Sequence, residues 1–224
     1  MKLNKKVVVL TGGIASGKST VGNILKEKGY EVVESDKIVH QLYNKNTEVY
    51  KKLTEEFGEK IAGEKSINRK KLAGIVYGDK SKLKKLNKIV HEHVIIELLK
   101  RVKSSKKDII FLDIPLMIEE KEKLEKYGLV YDEIWLVKSK EEIRIKRIKN
   151  RDNISFEESR KIINNQMKDE EKEKHVHQVI ENNDTIQELK NKIDRILTNL
   201  KIEKDKEWCY NKVHNIVGGS KWKV

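Results

Sequence analysis

The chain has 224 residues, 49 of them basic and 36 acidic, a formal net charge of +13. That length supports one well-packed core with small appended subdomains, and no apolar run approaches the roughly 20 residues that span a bilayer, so a cytoplasmic protein without a membrane partner is expected. Cys209 is the one cysteine, which excludes an internal disulfide and any multi-cysteine metal centre.

In chain order, the apolar run from Lys6 to Leu10 (KVVVL) suits a buried parallel strand. It leads into Gly12-Gly13-Ile14-Ala15-Ser16-Gly17-Lys18-Ser19, which fits the pattern G-x-x-x-x-G-K-[ST] between a strand and a helix. Val21, Ile24 and Leu25 then recur at helical spacing, Gly29 stops that helix, and Glu31 to Glu34 (EVVE) reads as a second strand. Between Asp36 and Lys107 the periodicity is helical only, through Val39, Leu42 and Tyr43, then Leu72, Ile75 and Val76, then Leu83, Leu86, Ile89, Val90, Val94 and Leu98. Strand character returns at Ile109 to Leu112, which closes in Asp113-Ile114-Pro115, and again at Glu133 to Val137. Helices are expected near 140–149, 156–172 and 186–200, with a short strand at Gln178 to Ile180.

This alternation predicts an α/β fold: a parallel five-stranded sheet with helices on both faces. The expected core takes residues 1–35, 108–139 and 176–202, interrupted by a helical insertion at 36–107 and a helical lid at 140–175. The tail at 203–224 carries Trp208, Tyr210 and Trp222 without an organised apolar face.

The glycine-rich segment is a phosphate-binding loop. Its glycines let successive N–H groups curl inward, and the helix that follows adds its positive end. Gly12, Gly13, Ile14, Ala15, Ser16 and Gly17 form the cradle for ATP; Lys18 reaches the β and γ phosphates, Ser19 offers its hydroxyl to Mg²⁺, and Thr20 meets the α phosphate. Asp36 and Asp113 both follow strand ends, where open parallel sheets bind ligands, and either carboxylate could take a proton from an attacking hydroxyl or help hold Mg²⁺. The bland alternative for Asp36 is an ordinary helix N-cap, which a functional role does not exclude. Only seven of the basic residues are Arg, and four of these lie between 144 and 160; Arg144, Arg147 and Arg151 share one helical face, which suits a lid over a phosphoryl group, or a solvated face with Glu141 and Glu142 as partners. The many Lys alternate with Glu, the pattern of solvated surfaces, so nucleic acid is not an expected partner despite the charge.

From Val7 to Leu200 the chain resembles the dephospho-CoA kinase family. The resemblance rests on Thr11 to Thr20 (TGGIASGKST), Ser35-Asp36-Lys37-Ile38-Val39-His40, Arg69 with Leu72 and Tyr77, Leu86-Asn87 and His91, Asp113 to Glu119 (DIPLMIE), Arg147 with Arg151-Asp152, Gln166-Met167 and Val179 to Asn182. It implies a core like that of nucleoside monophosphate kinases, ATP and Mg²⁺ as cofactors, and dephospho-CoA as the small-molecule acceptor. It further implies that Asp36 is the catalytic base, aided by Lys18 and Arg147. Arg147, Arg151 and Asn182 would contact the nucleotide, and His40, Arg69, His91, Asp113, Pro115 and Leu116 would stand on the acceptor side. The chain departs from the family at three places. Glu34-Ser35-Asp36 replaces the usual Asp-Ala-Asp, Glu92 replaces a Pro after His91, and Ile162 stands where a lid arginine is usual, with Arg160 and Lys161 nearby. Other small-molecule kinases would share the loop, and a nucleic-acid-binding ATPase would use the charge; a monomer or small homo-oligomer is expected.

Overall fold

The computed structural model describes residues 5–200. The strands are β1 (Lys6–Thr11), β2 (Glu31–Glu34), β3 (Ile109–Asp113), β4 (Glu133–Lys138) and β5 (Gln178–Glu181). They form one sheet in the order β2-β3-β1-β4-β5, and every pairing is parallel. The helices are α1 (Lys18–Glu27), α2 (Ser35–Leu42), α3 (Glu48–Phe57), α4 (Arg69–Val76), α5 (Lys80–Ser104), α6 (Lys121–Lys126), α7 (Glu141–Asp152), α8 (Phe156–Asn164) and α9 (Asp169–Glu173). A further helix, α10, occupies residues 186–200.

Alternation along the strands divides the core in two. Val7 and Val9 of β1, Ile110 and Leu112 of β3 and Ile134 of β4 pack with α2 to α5 through Ile38, Leu53, Leu72, Ile95 and Leu98. Val8, Leu10, Ile109, Phe111, Trp135 and Val137 face the other way, onto Val21, Ile24 and Leu25 of α1 and Leu189, Ile193 and Leu197 of α10. The helices at 36–107 therefore share an apolar cluster with the sheet itself. A third, small cluster joins Ile145 and Ile148 of α7 to Ile163 of α8, and the loop residues Ile14 and Ala15 lean on it.

All five strands fall where the periodicity puts them, within a residue at each end. Three expectations need correction. The single helix expected at 156–172 is two, α8 and α9: the chain leaves the helix after Asn164, and Lys168 is extended with φ −63° and ψ 146°. The segment 36–107 is not helical throughout, because Asn44 bridges Ser66 and Ala62 bridges Ile67 in antiparallel fashion, drawing Ile61 and Ile67 into the core. Leu83 lies on no core face; it is 45% exposed. The tail at 203–224 lies outside the described residues. Among the described residues no helix is long and apolar enough to cross a membrane.

Trp135 is fully buried, edge-on to Phe111 with ring centroids 5.2 Å apart. Trp135→Ala is expected to cost about 3–5 kcal/mol, because the surroundings cannot close over so large a void. Urea unfolding checks this: the midpoint should fall at an unchanged slope, and an unchanged midpoint would contradict the placement of this side chain at the centre of the core.

Candidate active site

Strand register sets the site. Leu10 of β1 pairs with Asp113 of β3, and Asp113 pairs with Glu34 of β2, so three adjacent strands end at one level. The glycine-rich loop leaves β1 there, α2 leaves β2, and a cavity of about 590 Å³ opens between them. Its wall holds Gly12 to Thr20, Asp36, Pro115, Arg147, Arg151 and Asn182, together with Gln166, Asp184 and Ile186.

The loop backbone is fixed by local geometry. Gly17 stands at the N-cap of α1 with φ 91°, and a Cβ there would lie 1.8 Å from Asn182 Nδ2. A Cβ on Gly12 would lie 2.5 Å from the Val137 carbonyl oxygen. Ala15 also adopts a left-handed backbone, φ 58°, at a cost of about 1 kcal/mol. No side chain caps α1, which leaves the Lys18 and Ser19 N–H groups at its start for a ligand.

The loop carbonyls from Gly13 to Gly17 are, by contrast, all engaged. Gly13 O accepts from Ser16 N at 3.1 Å, and Gly17 O from Thr20 N and Val21 N at 3.0 and 3.1 Å. Ile14 O accepts from Arg144 Nε at 2.9 Å, and Ala15 O from Arg147 at 3.0 Å. Ser16 O accepts from Ser139 Oγ at 2.9 Å and from Asn182 Nδ2 at 3.0 Å. Arg147 and Ser139 also bind the Asn182 carbonyl, at 3.2 and 2.6 Å. Burial pushes the Arg147 guanidinium down from its ordinary value, but Arg keeps its charge at neutral pH.

Two carboxylates stand at the strand ends in different states. Asp113 is buried and ion-paired with Lys18. Burial pushes its carboxyl up from the ordinary range, and the Lys18 ammonium opposes that shift. Asp36 is exposed in the first turn of α2 and faces the cavity. It is not a cap: the N-cap of α2 is Glu34, and no side chain caps that helix. Glu34 is held by Lys26 and Lys37; burial works to raise its carboxyl, and these two charges override it, leaving it below the usual value. A second cavity, of about 30 Å³, lies among Ser19, Glu34, Asp113 and Lys26.

The arginine face of α7 splits. Arg147 and Arg151 line the main cavity, and Arg151 also forks onto Asp152 at 2.7 and 2.8 Å. Arg144 is buried and pairs with Asp169 rather than with Glu141 or Glu142; it is Arg160 that binds Glu141. His40, Arg69, His91, Asp113 and Leu116 do not line the main cavity. His40 is exposed on α2, and Leu116 is 47% exposed after β3. Arg69 lies over the Tyr43 ring, 5.5 Å from its centroid. His91 is half-buried on α5, and that burial holds its imidazole below the usual value, against the pull of Glu120.

A family model described as dephospho-CoA kinase matches residues 6–188. The chain belongs to the dephospho-CoA kinase family. A dephospho-CoA kinase of Carboxydothermus hydrogenoformans is 40% identical over 206 residues, covering 90% of this chain and 96% of that one. Among solved structures, a Thermus thermophilus protein superimposes with a TM-score of 0.74 at 30% identity, covering 88% of this chain and 98% of its own. The dephospho-CoA kinase of Campylobacter jejuni gives 0.58 at 26% identity, covering 88% and 97%. Membership makes the chain a kinase with a nucleotide-binding phosphate loop.

Four residues of this dephospho-CoA kinase fold escape sequence reasoning as parts of the site. Gln166, quoted only within the resemblance, accepts the Ile14 N–H at 2.8 Å. Ser139, which ties Ser16 to Asn182, and the cavity residues Asp184 and Ile186 carry no local signal, because only the closing of the sheet brings β4 and β5 beside the loop.

Gly17→Ala imposes both a disfavoured φ and the Asn182 contact. It is expected to weaken binding of a non-hydrolysable ATP analogue by about 5- to 150-fold, the equivalent of the roughly 1–3 kcal/mol that such backbone strain costs. Calorimetric titration checks this, and wild-type affinity would contradict the loop geometry.

Proposed function

We propose that the chain transfers the γ-phosphoryl group of ATP to the ribose 3′-hydroxyl of dephospho-CoA, completing coenzyme A. Family membership supports the reaction. The observation that carries the assignment of roles is the register that sets Asp36 across one cavity from the phosphate loop.

The triphosphate would lie along the loop amides and the uncapped start of α1. Ser16 Oγ, buried with no hydrogen-bond partner among the described residues, is a further donor in that wall. Lys18 rests on Asp113; an incoming β- or γ-phosphate offers it denser negative charge, and the ammonium would turn to the nucleotide. Ser19 and Asp113 would hold Mg²⁺, and the hydroxyl, carboxylate and confined volume among Ser19, Glu34 and Asp113 suit a small hard cation. When bound, that ion supplies positive charge to the phosphate oxygens. Arg147 and Arg151 face the same space and would neutralise charge on the phosphoryl group as it transfers. Asn182, with Asp184 and Ile186, completes the nucleotide wall.

Asp36 Oδ would accept the proton of the 3′-hydroxyl. It stands exposed at the mouth of the cavity, four residues ahead of His40 on the same helix. His40, Arg69, His91, Pro115 and Leu116 would contact the acceptor from α2, α4, α5 and the turn after β3. Thus residues 36–107 would serve as the acceptor-binding insertion and 140–175 as the lid, around a core of 1–35, 108–139 and 176–202. A cytoplasmic enzyme fits this substrate, and the Lys–Glu pairs on the helices, such as Lys52 with Glu48 and Lys85 with Glu56, give no reason to expect a nucleic acid.

Asp36→Asn is expected to lower kcat by roughly 10² to 10⁴, toward the lower end because a loose transition state needs less help from a base. The KM for ATP should change much less, and the melting temperature little, since Asp36 makes no cap. Steady-state kinetics at saturating MgATP, with melts of both proteins, provide the test; wild-type turnover would remove Asp36 as the base.

A further inference from the structure

Arg144 is 6% exposed and does not line the nucleotide cavity. Its guanidinium nevertheless presses on the phosphate loop. Nε donates to the Ile14 carbonyl at 2.9 Å, and a Cβ on Gly13 would stand 2.5 Å from a terminal nitrogen, so only glycine leaves room for the fork. The same guanidinium donates to Gln166 Oε1 and to Asp169 Oδ2, each at 3.3 Å. Gln166 Oε1 in turn accepts the Ile14 N–H at 2.8 Å. Both polar backbone groups of Ile14 are thereby held by an arginine of α7 and a glutamine from the turn after α8.

The hold extends through α9. Asp169 opens that helix, and Lys172 within it is fully buried, 2.6 Å from Glu119 Oε1 in the segment after β3. Burial pushes the Asp169 carboxyl up from its usual range, and Arg144 and Lys172 oppose this. A flat guanidinium serves carbonyl, amide oxygen and carboxylate at once; a Lys ammonium on a flexible stem cannot reproduce that plane.

We propose that Arg144, oriented by Asp169 and acting with Gln166, is a positioning residue that sets the Ile14 peptide, and with it the aim of the phosphate-loop amides, before the nucleotide arrives. The inference rests on the phosphate-loop reading of the site.

Arg144→Lys keeps the charge and removes the fork. Calorimetric titration with a non-hydrolysable ATP analogue and Mg²⁺ is expected to give a Kd about tenfold weaker, with the KM for ATP raised alike and the KM for dephospho-CoA within about twofold of wild type. Asp169→Asn, at a residue outside the cavity wall, should weaken the analogue about threefold by loosening Arg144. A lowered melting temperature with unchanged analogue affinity in Arg144→Lys would overturn the proposal and leave Arg144 as packing alone. If that variant does not accumulate folded, Asp169→Asn decides by the same titration, and unchanged affinity overturns the proposal. Wild-type protein that fails to bind the analogue would instead remove the phosphate-loop reading, and the proposal with it.

Discussion

A glycine-rich loop can bind phosphate only if its amides point inward and stay unpaired, and a loop of that composition has too little conformational preference to hold itself so. The rest of this structure depends on how that is solved. From Gly13 to Gly17 each carbonyl accepts a hydrogen bond, and the donors that are not loop or α1 amides come from Ser139, Arg144, Arg147 and Asn182. Engaging the carbonyls from behind orients the peptide planes; the Ile14 and Ser16 amides are themselves tied, to Gln166 and Gly13, and those of Ala15, Gly17, Lys18 and Ser19 are left to the ligand. The order of the sheet makes this possible, because β1 lies between β3 and β4, and β5 lies beside β4. Residues more than a hundred positions apart in sequence thus reach one loop.

The charges around the cavity follow the same division. Exposed Lys and Glu pair along the helices, where each contact is worth little. The buried ions are few and placed where geometry matters: Lys18 on Asp113, Arg144 on Asp169 and Lys172 on Glu119. Buried pairs of this kind often bring no more stability than apolar packing of the same volume. Their value lies in direction: Lys18 meets the end of β3, Arg144 ties the loop to the start of α9, and Lys172 ties α9 to the segment after β3. Ala15 in a left-handed conformation is a second local cost accepted at the loop.

Much of this was legible in the sequence because the signals are local. KVVVL before a glycine-rich loop, EVVE and IIFL are apolar runs of strand length, and the sheet forms from them with every strand within a residue of expectation. The loop motif identifies its own ligand class, and Asp36 and Asp113 were placed by the rule that ligands bind at the carboxyl ends of parallel strands. What was hidden is what depends on distant parts of the chain. Lys172 sits in a run of alternating Lys and Glu that reads as solvent-facing, yet it is fully buried because Glu119 waits beneath it. Arg144 resembles its neighbours Arg147 and Arg151 on the helix and differs only because Gly13, Gln166 and Asp169 meet it there. The break between α8 and α9 was missed for a related reason: the charged run around it carries helical propensity, while the chain turns to bring Gln166 to Ile14.

The central claim is that a cradle preorganised for phosphate serves one acceptor, the ribose 3′-hydroxyl of dephospho-CoA. Phosphorus NMR of the products, with ADP counted by a coupled assay, tests it most directly. ADP is expected to form only when dephospho-CoA is present, in a one-to-one ratio with a new phosphomonoester resonance at the 3′ position. Release of ADP at the same rate without acceptor, or a phosphate appearing elsewhere on the acceptor, would contradict it.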